Sequence, residues 1–125
     1  MATPEEKEQL ALIAKRLRER NRADDERRRR RVLEARAEAD RLVRCFRQID
    51  PHLERVVLFG SLAENRVRTL DSDIDLAVRS DEFLRLVACA LNSDFHVDVV
   101  DLDRLPDHLR RSVEQRGVTL YAREA

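Results

Sequence analysis

A chain of 125 residues, 40% of them charged, reads as one small domain built around a single core. Its 25 basic side chains balance 25 acidic ones and aromatics make up only 4%, which argues against binding nucleic acid by bulk charge or base stacking. No apolar run approaches the ~20 residues that cross a bilayer, and the first residues lack a signal-peptide core, so a cytoplasmic protein with no membrane partner is expected.

Thr3-Pro4-Glu5-Glu6 predicts a helix start, with Thr3 as cap, Pro4 in the first turn and Glu6 closing a capping box. Leu10, Ile13, Ala14 and Leu17 mark one apolar stripe at helical spacing. From Arg18 to Arg31 the stripe disappears. Asp24, Asp25 and Glu26 stand four residues ahead of Arg28, Arg29 and Arg30, the favourable order for i,i+4 pairs. The five arginines Arg27 to Arg31 read either as a phosphate patch or as a solvated face neutralised by those acids. Consecutive helical residues spread around the axis, which favours the solvated face.

Val32, Leu33, Ala39, Leu42, Val43, Phe46 and Ile49 restore an apolar face until Asp50-Pro51 ends the helix. This segment is one long helix or two helices bent near Asn21–Asp25; spacing alone fits both. In a straight helix the Leu10–Leu17 stripe projects past the core and calls for a partner, most simply a second copy or another protein. Residues 1–50 are therefore read as a helical extension and 51–125 as the core.

Arg55 to Phe59 is a buried-strand candidate stopped by Gly60-Ser61. A short polar connection follows over 62–70, with a bend expected at Asn65, and Asp71 is assigned to the loop. Ile74 to Val78 is the second strand. Ser80-Asp81-Glu82 caps a helix carrying Phe83, Leu84, Val87, Ala88 and Leu91. Phe95 to Val100 is the third strand, with Phe95, Val97 and Val99 on one face and His96, Asp98 and Val100 on the other. Asp103 is expected to cap a last helix with Leu105, Leu109 and Val113 inward, and Gly117 to stop it before a strand at Val118–Tyr121. The outcome is a small α/β (α+β) protein, a mixed sheet covered by helices. Cys45 and Cys89 fall on apolar helix faces and read as buried thiols, not a disulfide framework.

Asp73 and Asp75 lie two apart on a strand, so their carboxylates share one face. At about 4 Å and an effective dielectric of about 20 their repulsion is about 4 kcal/mol. A chain that keeps such a pair usually sets a divalent cation between the two. Asp98 sits mid-strand between two valines, where an unpaired acid is costly. If its strand neighbours the Ile74 strand, the three acids converge and suit Mg²⁺, which takes carboxylates, waters and substrate phosphates. The bend at Gly60-Ser61 offers close backbone approach, free N–H groups and a hydroxyl, a phosphate cradle. His96 shares the Asp98 face but reads first as a surface or structural histidine.

Val57-Leu58-Phe59-Gly60-Ser61, then Asp71-Ser72-Asp73-Ile74-Asp75-Leu76, then Val97-Asp98-Val99, resembles the nucleotidyltransferases of the DNA polymerase beta superfamily, and by its small size the minimal nucleotidyltransferase (MNT) group. The resemblance covers about His52 to Tyr121. It implies a nucleotidyltransferase-like fold, two Mg²⁺ ions on Asp73, Asp75 and Asp98, and the triphosphate of a nucleotide, ATP, at Gly60 and Ser61. It further implies transfer of AMP to a protein acceptor, as by an antitoxin acting on a HEPN-type ribonuclease toxin. Many relatives carry Ala-Arg-Gly after the Gly-Ser, where this chain has Leu62-Ala63-Glu64-Asn65-Arg66. Two other classes compete with this one: a binding module that neutralises a partner by contact alone, and a nucleic-acid reader using Arg27 to Arg31.

Overall fold

The structure is a computed structural model that describes residues 1–66 and 73–124. The second half of the predicted 62–70 connection, and Asp71 with it, lie outside the described residues.

The N-terminal segment is one unbroken helix, α1, Pro4–Ile49. Thr3 and Glu6 form the capping box: the Thr3 hydroxyl accepts from the Glu6 N–H, and the Glu6 carboxylate accepts from the Thr3 N–H. The acidic and basic residues at its middle pair at i,i+3, Asp24 with Arg27 and Asp25 with Arg28, rather than at the i,i+4 spacing expected. Both spacings bring side chains to the same helix face, and three residues suffice for an arginine to fold back onto a short aspartate. Asp50 closes the helix, its N–H donating to the Phe46 carbonyl at 2.8 Å. The buried Asp50 carboxylate accepts from the His52 N–H at 2.8 Å and from the Ser80 hydroxyl at 2.6 Å. A carboxylate this deep is tolerated because both its oxygens are used.

Four strands follow: β1 Arg55–Phe59, β2 Ile74–Arg79, β3 Val97–Asp101 and β4 Val118–Ala122, in the sheet order β3-β2-β1-β4. β2 runs antiparallel to β1 and parallel to β3; β4 runs antiparallel to β1. Alternation divides the side chains between two layers. Val56, Leu58, Ile74, Leu76 and Val78 face α1 and the helix α3, Phe83–Ala90, where Ala35, Ala39, Leu42, Phe46 and Leu86 complete the main core. Val57 and Ala77 face the other way, onto Leu102 and onto Val113 of α4, Asp107–Arg116.

Other predicted details differ: β3 begins at Val97 and not at Phe95. Asp103 caps no α-helix; the chain first makes a short 3-10 turn, Leu102–Arg104, in which the Asp101 carboxylate accepts from the Asp103 N–H and Asp103 pairs with Arg79 at 2.9 Å. α4 then starts after Pro106, with Leu109 exposed rather than inward. Gly117 does end α4, but by lack of bulk and not by left-handed backbone. A Cβ there would collide with the Val113 carbonyl and with Val57.

α1 lies along the sheet only in its C-terminal half. Arg47 stacks over Tyr121, beside the start of β1. Arg36 donates to the Leu62 carbonyl at 3.1 Å, and Arg31 stacks over Phe95, both at the opposite end of the sheet. The N-terminal stretch, residues 4–27, continues past that end for about 35 Å at ~1.5 Å per residue. Leu10, Leu12, Ile13 and Leu17 are exposed on it.

Candidate active site

The end of the sheet from which α1 projects gathers three chain positions: the exit of β1, the entry of β2 and the entry of β3. At the exit of β1 the chain turns straight into a four-residue helix, α2, Gly60–Ala63. Gly60 has φ +74°, the left-handed region, and a Cβ there would overlap the Asp75 carboxylate. Only glycine meets both conditions. Ser61 follows in the first turn of α2, half-buried, where helix geometry leaves N–H groups without intrahelical partners. The bend at Asn65 occurs as expected, with φ 56°; the Arg36 guanidinium holds its side-chain oxygen at 2.5 Å.

The parallel register of β2 and β3 sets Asp75 directly opposite Asp98, and Ile74 opposite Val97. Asp73, Asp75 and Asp98 therefore share one sheet face, the one turned away from α1 and α3. Asp98 stands on an edge strand and is exposed. It avoids the desolvation that its position between two valines suggested, because Val97 and Val99 point into the main core while Asp98 points to water. Asp75 is half-buried between Phe59 and Asp98. Burial raises its pKa above the ordinary carboxylate value, and the charges of Asp98 and Asp73 push it further in the same direction.

His96 is an exposed histidine, as expected, and it lies beside the candidate site. The Ile74 N–H donates to the His96 carbonyl at 3.0 Å, which fixes His96 beside Asp73. The imidazole Nδ1 lies 3.1 Å from Asp73 Oδ1 and 3.9 Å from Asp98 Oδ2. One ligating atom from each of Asp73, His96 and Asp98 falls within 4.8 Å of the others. Asp75, turned toward Gly60, stands next to this trio and not inside it. The signal for His96 was present in the sequence as its alternation with Asp98; what spacing could not supply was the parallel pairing that brings Asp73 alongside.

Two carboxylates and an imidazole, all solvent-accessible, with a third carboxylate strained toward protonation, form a donor set that fits a divalent cation. The charge a cation brings would offset the part of the Asp75 pKa rise that comes, after burial, from Asp98 and Asp73.

The polymerase beta nucleotidyltransferase family model matches residues 40–125, and the chain belongs to that family. Its four-stranded mixed sheet and long N-terminal helix are thus those of a nucleotidyltransferase-like fold. Among solved structures, the chain is similar to one in a toxin–antitoxin complex with AMP-PNP, at 26% identity and a TM-score of 0.55, over 68% of this chain and 74% of that one. It is also similar to a chain in the complex of a tri-AMPylated Shewanella oneidensis HEPN toxin with its MNT antitoxin, at 25% identity and a TM-score of 0.54, over 71% and 73%. These neighbours support the MNT group within the family. A Sulfolobus solfataricus protein shares the fold at 20% identity and a TM-score of 0.50, over 74% and 88%. No curated protein gives a significant match. Among the described residues no helix is long and apolar enough to cross a membrane.

Proposed function

We propose that this protein transfers AMP from ATP onto a hydroxyl of a partner protein, and that the partner is a HEPN-type toxin which it silences. The observation that carries the reading is the convergence of Asp73, Asp75 and Asp98 on one sheet face beside the Gly60–Ser61 bend. The similarity to antitoxin chains, one in a complex with AMP-PNP and one in a complex with an AMPylated toxin, supports the choice of nucleotide and partner.

In this reading Asp73, Asp75 and Asp98 hold Mg²⁺, two ions as the resemblance implies, and Gly60 and Ser61 receive the triphosphate. The cations, when bound, neutralise the triphosphate and lower the pKa of the acceptor hydroxyl. Gly60 allows the phosphates to approach the backbone where any side chain would intervene. Asp98, on the edge strand, takes the proton of the acceptor hydroxyl in this reading. The acceptor oxygen then bonds to the α-phosphorus and the bond to pyrophosphate breaks.

The projecting half of α1 leaves from the site end of the sheet, so a partner gripping it is held at that end of the molecule. That same arm favours a second reading, neutralisation by contact alone, since Leu10, Ile13 and Leu17 offer an apolar stripe whether or not chemistry follows. Incubation with the partner, Mg²⁺ and ATP labelled at either the α- or the γ-phosphate separates the two. Transfer of the α-label alone supports nucleotidyl transfer. Tight binding with no label transferred supports contact alone, and γ-label transfer overturns both.

A further inference from the structure

The geometry points to His96 as a nitrogen ligand of the cation at this site, which biases the site toward Mn²⁺ and similar first-row ions over Mg²⁺. The inference rests on the cation-dependent reading above and adds to it a residue and a metal preference. Neighbouring ligands of a six-coordinate ion with bonds of about 2.1 Å stand about 3 Å apart. Nδ1 of His96 is 3.1 Å from Asp73 Oδ1, already at that separation, and its 3.9 Å to Asp98 Oδ2 closes by a rotamer adjustment of exposed side chains. The three donors come from two adjacent backbone segments locked in register: Asp73 at the entry of β2, His96 across from it, and Asp98 two residues further along the same face.

An ordinary surface pairing of one histidine with one aspartate accounts for the contact to Asp73. What goes beyond that pairing is the convergence of one donor atom from each of three residues within 4.8 Å of one another. Imidazole nitrogen is a poor partner for Mg²⁺, which favours oxygen, and a good one for Mn²⁺, Co²⁺ or Zn²⁺. Asp75 remains available on the other side of the trio as an all-oxygen contact for a second ion.

The test is direct binding of Mn²⁺ to the full chain, followed by electron paramagnetic resonance, with Mg²⁺ competition, for the natural protein and for His96→Gln. His96 is exposed, so the substitution leaves the fold unchanged, which the melting temperature of the metal-free protein verifies. The expected result is a ¹⁴N coupling to bound Mn²⁺ that His96→Gln abolishes, with Mn²⁺ binding weakened by about 10-fold or more while Mg²⁺ binding changes little. Bound Mn²⁺ with no nitrogen coupling, or an unchanged Mn²⁺/Mg²⁺ preference in His96→Gln, overturns the role of His96 and leaves the cation-dependent reading standing. Failure of either ion to bind, with or without a non-hydrolysable ATP analogue, overturns both.

Discussion

Asp75 concentrates the electrostatic problem of this site. Its folded-state pKa stands above the model-peptide value of 3.8, first through burial and then through the charges of Asp98 and Asp73. A carboxylate with a raised folded pKa destabilises the folded state once ionised. In the presence of chelator, stability should therefore rise as the pH falls through the folded pKa of Asp75 toward 3.8, and this gain should be missing from Asp75→Asn. Melting curves against pH for the two proteins check this; equal slopes would contradict it. Addition of a divalent cation at neutral pH should raise the melting temperature of the natural protein more than that of Asp75→Asn. Gly60 is tied to the same carboxylate. Gly60→Ala should lose about 1–2 kcal/mol from left-handed backbone alone, and it should weaken nucleotide binding because the new methyl displaces Asp75. A variant as stable as the natural protein and equally able to bind ATP would refute this account of the bend.

Helix α1 divides at about Arg31 into a half that builds the core and a half that leaves it. Val32 to Phe46 supply buried Ala35, Ala39, Leu42 and Phe46, whereas the Leu10–Leu17 stripe stays exposed. Leu10→Glu combined with Leu17→Glu should leave the melting temperature within about 0.5 kcal/mol-equivalent of the natural value. The same pair should sharply reduce capture of the partner, measured by pull-down or calorimetry; undiminished capture would place the contact elsewhere. Much at this scale was legible in the sequence. The Thr3–Glu6 box, the stop at Asp50, the left-handed bend at Asn65 and the division of Phe95, Val97 and Val99 from His96 and Asp98 all follow from local chemistry. Less legible were features set by packing. The continuity of α1 across Asn21–Asp25 involves no breaker that spacing could weigh. The interposed 3-10 turn depends on Arg79 reaching Asp103 from another strand. The place of His96 depends on which strands are neighbours.

Taken as a whole, the molecule is a four-stranded mixed sheet with α1 and α3 on one face and α4 on the other, and the strand acids meet the Gly60–Ser61 bend at one end of that second face. The arginine run, the competing signal in the sequence, is largely spoken for: Arg27 and Arg28 pair with Asp24 and Asp25, and Arg31 lies over Phe95 and beside Glu34. In the proposed reading the acidic cluster is the chemical centre and the projecting half of α1 is where the partner is held. The most direct test is the intact mass of the partner protein after incubation with this protein, ATP and a divalent cation, run in parallel with Asp98→Asn. The natural protein should add one or more adenylate increments to the partner, and Asp98→Asn should form them at least about 100-fold more slowly. An unmodified partner, or equal modification by Asp98→Asn, would contradict it.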